Sequence, residues 1–318
     1  MTSPRTAKWE RASAVGGALV WALLAGLAGA GKAPLGVIEL LFLFAPLVVV
    51  PLGLALGRMV SPLEYQSMET LALWWQPVAA GLVIGSFCLT PGWVAALFAV
   101  PWLLLCGVIA LTAALTLLRQ KNKSLVTWAV NVGKIDLAVG CSWLVASRLG
   151  LRPLGIQEPI ILLTTVHFHY TGFATALLAT ALLAHAGRNG ARLRFLKTTI
   201  VLVIFTPFVV AMGFVCSATL KMVAAVVLSA SVAALAGLQF WLSRNLTTRT
   251  ARTYIRLSAS CVFAGMALAI TYAIGDWLKQ DWLLIPRMAS THGVLNGLGF
   301  SLLGLLGWLM QLSDHTAS

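Results

Sequence analysis

The sequence predicts an all-α fold: a polytopic integral membrane bundle of about ten transmembrane helices. Three observations carry this. Of 318 residues, 59% are apolar and 10% charged, with a mean hydropathy of +0.91. The apolar residues fall in runs of about 18–25, the length that crosses a bilayer as a helix. The basic residues collect in alternate connections, as the positive-inside rule requires.

The spans can be taken in order. The first covers 14–30, after the basic start "MTSPRTAKWERASAVGG", which has no clear A-x-A site and reads as the lead into a span rather than a cleaved signal peptide. The second covers 35–57 and carries Glu39 about one turn from its start. The third and fourth follow at 71–90 and 92–118. The fifth, 125–147, has Asp136 near its middle, and the sixth, 158–185, opens on Glu158. The seventh and eighth occupy 196–216 and 219–243, joined through "GFVCSATLKM". The ninth, 254–275, closes on Asp276, and the tenth, 288–311, contains His292 and Asn296. The whole chain, 1–318, reads as one transmembrane domain.

With the N-terminus inside, the inner segments hold 15 Lys and Arg and the outer ones 6, with Lys134 inside a span. Both termini are therefore expected in the cytoplasm, in a multi-pass protein of the bacterial inner membrane. The formal charge of +13 is topological on this reading, and nucleic-acid binding is not expected.

Several chemistries find no motif. There is no GxxxxGK[ST] phosphate loop, no GxGxxG after a strand, and no HExxH zinc helix. Asp276 and Asp281, in "GDWLKQDW", flank a tryptophan loop and are the nearest approach to a paired-carboxylate diphosphate site. The five cysteines are scattered without CxxC pairing and read as small packing residues. No cofactor and no bound metal is expected.

What remains is polar residues inside spans, which are functional candidates because they are expensive there. "LLTTVHFHYTGFA" puts His167 and His169 about 14–17 Å along the sixth span, near mid-membrane. Two residues apart, they diverge by about 160°, so one can face the interior while the other packs elsewhere. Glu158 and His169, eleven apart, share a stripe with Thr165 and Phe173; His167 shares its face with Tyr170. In "HGVLNGLGF", His292 and Asn296 are four apart on one face, so the amide can orient the imidazole. In the fifth span Asp136 lies on a face with Trp128, Val132, Gly140 and Trp143, a carboxyl set between two indoles, and an ion pair with a basic residue of a neighbouring span is the plain structural alternative. Polar glue between helices is the alternative for the histidines. Glu39, Asp136, Glu158, the histidines and Asn296 fall at depths that would let them line one cavity.

"LLTTVHFHYTGFA" and "THGVLNGLGFSLLG" resemble the paired signatures of the YndJ-like family of bacterial membrane proteins, over about Gln157–Trp308. Drimentine-type membrane-bound terpene cyclases, which act on prenylated indole alkaloids, are similar to that family. The resemblance implies a protonation-initiated cyclisation of an isoprenoid chain, an isomerase reaction of terpenoid secondary metabolism. It brings no established catalytic positions; the matched residues are His167, His169, Tyr170, Gly172, Phe173, His292, Gly293 and Asn296.

Such a reaction needs an acid kept from water, aromatic faces for developing cations and an acceptor for the last proton. The candidate acids are Glu158 and Asp136, with Glu39 third. His169, His167, His292 and Asn296 orient the acid or accept a proton, while Tyr170, Phe173, Trp128 and Trp143 wall the substrate. The expected partners are the bilayer and a lipid-soluble isoprenoid. A proton-coupled transporter using Glu39, Asp136, Glu158 and the histidines as a relay is an alternative, with Pro46, Pro51, Pro77 and Pro207 marking broken helices. A bis-histidine haem or quinone redox protein is another.

Overall fold

Many large apolar side chains stand on the outside of the helices. Leu19, Trp93 and Leu118 are 70%, 74% and 79% exposed, the arrangement expected when the surrounding solvent is lipid. In a computed structural model of the chain, residues 4–61, 65–121, 123–186 and 191–317 are described. Among them every regular element is helical, and ten helices are long and apolar enough to cross a membrane. They are α1 (Pro4–Gly29), α2 (Val37–Val60), α3 (Gln66–Phe87), α4 (Trp93–Arg119) and α5 (Leu125–Leu149). Then come α6 (Ile160–His185), α7 (Ala191–Cys216), α8 (Ala218–Leu242), α9 (Arg249–Trp277) and α10 (Ile285–Ser313). The predicted spans and these helices agree to within about five residues at each end, except that α1 starts ten residues before the predicted 14–30.

The chain forms two compact units, 1–173 and 174–318, with the boundary inside α6. In the first, Ser124 caps α5 by accepting the Thr127 N–H, and Gly150 ends it at φ 73°, a left-handed stop that glycine adopts without strain. The proline expectation resolves case by case. Pro77 and Pro207 lie inside continuous helices and Pro51 in the first turn of the α-helical stretch Val50–Val60, whereas Pro46 sits in a π turn at Ala45–Val49. Gln76 reaches that wide turn and donates to the Pro46 carbonyl at 2.6 Å, satisfying a polar group deep in the helix packing.

In the second unit, Ser217 alone joins α7 to α8; its hydroxyl accepts the Leu220 N–H and so starts the new helix. Ser258 donates to the Phe300 carbonyl at 2.8 Å, tying α9 to α10. Asp276 forms an ion pair with Lys221 at 2.7 Å. α10 runs through two π segments, Ala289–Gly293 and Leu295–Leu302.

Candidate functional site

The α5–α6 crossing in the first unit gathers much of the predicted chemistry. Asp136 and Gly140 are one turn apart on α5 and face α6. On α6, His169 and Gly172 lie in a π segment, Phe168–Ala174. Each glycine receives the other helix's polar side chain. A Cβ on Gly172 would lie 2.6 Å from Asp136 Oδ2, and one on Gly140 would lie 2.9 Å from His169 Nδ1. The two notches let the helices approach closely enough for both polar groups to be fully enclosed.

His169 is buried, and its Nδ1 lies 2.8 Å from the Thr165 carbonyl. A carbonyl only accepts, so Nδ1 carries the hydrogen and Nε2 keeps its lone pair. The Trp102 indole N–H donates to Nε2 at 3.3 Å, Cys141 Sγ lies 3.8 Å from it, and the Phe42 ring meets the imidazole edge-on at 5.2 Å. A neutral imidazole with both nitrogens engaged is tolerable away from water. His167, by contrast, is exposed and bonds back to the Leu163 carbonyl at 2.7 Å. The two histidines diverge, and His169 is the one inside.

Asp136 is fully buried, and neither carboxyl oxygen has a hydrogen-bond partner. The cation it would need is committed elsewhere. Lys134, two residues away and so on another face, pairs with Glu69 at 2.7 Å, with Thr112 donating to the same carboxylate at 3.2 Å. Arg58 pairs with Glu10 and lies within electrostatic reach of Glu69. Buried charges of alternating sign therefore run from α1 through α2 and α3 to α5, and Asp136 is not among them.

Two expectations need correction. Trp128 and Trp143 do not wall Asp136: they lie about 12 Å and 10 Å away along the helix, Trp128 exposed with Lys123 over its ring and Trp143 half-buried. The shared face is real, but axial rise separates its members. The indole at the crossing is Trp102 of α4, which the single-helix reading missed because it comes from another span. Glu158 likewise does not extend a buried stripe to His169. It precedes the helix, is exposed, and its Oε2 accepts the Leu162 N–H at 3.2 Å. It caps α6, as acidic groups do at helix starts.

Glu158 and Glu39 both lie within electrostatic reach of Arg148 at the end of α5. Arg148 also donates to the Ser86 and Leu89 carbonyls at 3.0 and 2.7 Å. Tyr170 gives its hydroxyl to the Leu41 carbonyl at 2.7 Å, and Phe173 is fully buried. In the second unit, His292 Nδ1 lies 2.8 Å from the Gly265 carbonyl, and Asn296 Nδ2 lies 2.9 Å from Nε2. The Gly265 carbonyl only accepts, so Nδ1 carries the hydrogen, and the Asn296 amide lies against both ring nitrogens, at 3.1 Å from Nδ1 as well.

Three of the residues at the α5–α6 crossing also bring together donors of another kind. Cys106 Sγ, Cys141 Sγ and a ring nitrogen of His169 all lie within 4.8 Å of one another, and all three residues are buried. The cysteines come from α4 and α5, so no local spacing in the sequence announces them.

The family model described as YndJ-like protein matches residues 40–300. A relative from Bacillus subtilis (strain 168), described as the uncharacterized membrane protein YndJ, is 31% identical over 285 residues, 89% of this chain and 50% of its own length. The chain thus spans about half the length of that relative. No solved structure matches. The match covers the first unit's crossing and the His292–Asn296 pair alike, and on it this helical membrane protein belongs to the YndJ-like family.

Proposed function

We propose that the α5–α6 crossing is the reaction centre of a membrane-embedded, protonation-initiated terpene cyclase, with Asp136 as the acid. The observation that carries this reading is a fully buried carboxyl whose two oxygens have no hydrogen-bond partner. An ionised carboxylate buried without a partner costs several kcal/mol; a neutral acid does not need a countercharge. Asp136 is thus a proton store kept apart from the Glu69–Lys134 pair.

In the proposed reaction Asp136 gives its proton to a terminal olefin or epoxide of a prenyl chain. The resulting cation is attacked by the next double bond, a ring carbon–carbon bond forms, and a C–H proton returns to the Asp136 carboxylate. The proton count closes, so the product is an isomer of the substrate. Trp102, Phe42 and Phe173 supply aromatic faces to the cation. The substrate, a prenylated indole or a related isoprenoid, partitions into the bilayer and has to part the closely packed α5–α6 crossing to meet Asp136. The distribution of basic residues supports a bacterial inner-membrane protein with both termini on the cytoplasmic side.

A proton-coupled carrier is the second reading, favoured by the buried pairs Glu10–Arg58 and Glu69–Lys134. One comparison separates the two. Asp136→Asn keeps the shape but cannot deliver a proton, and is expected to lower cyclisation of a prenylated indole in proteoliposomes by roughly 10²–10⁴-fold. Glu158→Gln, at an exposed cap, is expected to retain turnover. Product is read by mass spectrometry as an isomer of unchanged mass. Cyclisation by Asp136→Asn at the parental rate refutes the assignment, and substrate-dependent proton uptake without isomerisation favours the carrier.

A further inference from the structure

Cys106, Cys141 and His169 take no step in the proposed reaction, yet their donor atoms converge. They come from α4, α5 and α6, and the three ligand atoms lie within 4.8 Å of one another. All three residues are buried at 0% exposure. The imidazole is already in the form a metal needs. Nδ1 is held at the Thr165 carbonyl at 2.8 Å, so the lone pair is on Nε2, and Nε2 is the atom 3.8 Å from Cys141 Sγ. A backbone carbonyl on the far nitrogen is the usual outer support of a metal-bound histidine, fixing both tautomer and ring orientation.

The geometry points to a three-coordinate Cu(I) site formed by Cys106 Sγ, Cys141 Sγ and His169 Nε2. The donor set decides the ion. Two thiolates and an imidazole suit soft or borderline metals, copper(I) and zinc above all, and disfavour magnesium, calcium or manganese. Zinc takes four ligands in closed sites, or three and a water in open ones. Among the described residues the cluster contains no fourth His, Cys, Asp or Glu donor. Trp102 and Phe42, both at 0% exposure, lie against the imidazole, and none of the three ligand residues is exposed to solvent. Three buried donors fit a monovalent ion of low coordination number.

Binding breaks two S–H bonds, forms two Cu–S bonds and one Cu–N bond, and releases two protons; no electron is transferred. The Nε2 lone pair passes from the Trp102 N–H to the metal, so His169 in the loaded protein is a ligand and not a proton acceptor. The site shares Trp102 and Phe42 with the proposed reaction centre but takes no atom from Asp136, so metal retention can be read whether or not the chain cyclises a substrate.

The test uses the full chain in detergent, loaded anaerobically with an acetonitrile-stabilised Cu(I) salt and, in a parallel sample, with zinc chloride. Each is washed with a chelator and assayed for metal by mass spectrometry and for ligation by X-ray absorption. The expected result is one copper per chain, silent in electron paramagnetic resonance, with two sulfur and one nitrogen scatterers. Retention is expected to fall at least tenfold in Cys106→Ser and in Cys141→Ser while both variants elute as the parental protein does on size exclusion. Zinc retained in preference to copper overturns the assignment. So does a chain that keeps neither metal, or one whose intact mass under the same conditions shows a Cys106–Cys141 disulfide.

Discussion

The reciprocal notch at the α5–α6 crossing can be tested with a single methyl group. In Gly172→Ala the added Cβ would lie 2.6 Å from Asp136 Oδ2 and 2.8 Å from both its Cγ and its Cβ. Ordinary contact begins at 3.4 Å, so the nearest atom must retreat by 0.8 Å. A rotamer change moves Oδ2 and Cγ but leaves Cβ, which is fixed to the α5 backbone. The helices must therefore separate, and overpacking of this kind costs about 1–3 kcal/mol. Asp136→Gly removes all three clashing atoms at a cost of roughly 0.3 kcal/mol in helix propensity, since aspartate is itself a poor helix former. The double variant Asp136→Gly/Gly172→Ala exchanges the notch between the helices, and it is expected to be more stable than the sum of the single effects by about 1–3 kcal/mol. Unfolding in mixed detergent micelles, followed by helical circular dichroism, measures the four corners of the cycle. If Gly172→Ala is as stable as the parent, or if the two substitutions simply add, the close approach is not what encloses Asp136.

Lys134→Met leaves Glu69 buried without its cation and is expected to destabilise the protein by about 3–5 kcal/mol in the same assay. Lys134→Met/Glu69→Leu is expected to recover most of that loss, and a double variant as unstable as the single would show that the charges, rather than their pairing, matter. A reporter fused after Ser318 is expected to be active only on the cytoplasmic side. Periplasmic activity there would reverse the orientation drawn from the basic residues.

What the linear sequence determines here follows from properties that are local or summed. Ten spans and an all-helical fold are legible because lipid leaves the backbone no other way to satisfy its hydrogen bonds, so length and hydropathy suffice. The divergence of His167 and His169 is legible for the same kind of reason, since two residues on one helix keep their angular separation whatever surrounds them. Only tertiary structure decides which of the two is inside, that Lys134 pairs with Glu69 and leaves Asp136 alone, and that Trp102 rather than Trp128 or Trp143 stands at the crossing. It also decides that Cys106 and Cys141, thirty-five positions apart by their numbers, meet His169. A face read off one helix gives angle but not the neighbour, and two polar groups enclosed by glycines on opposite helices depend on a crossing that no single span encodes.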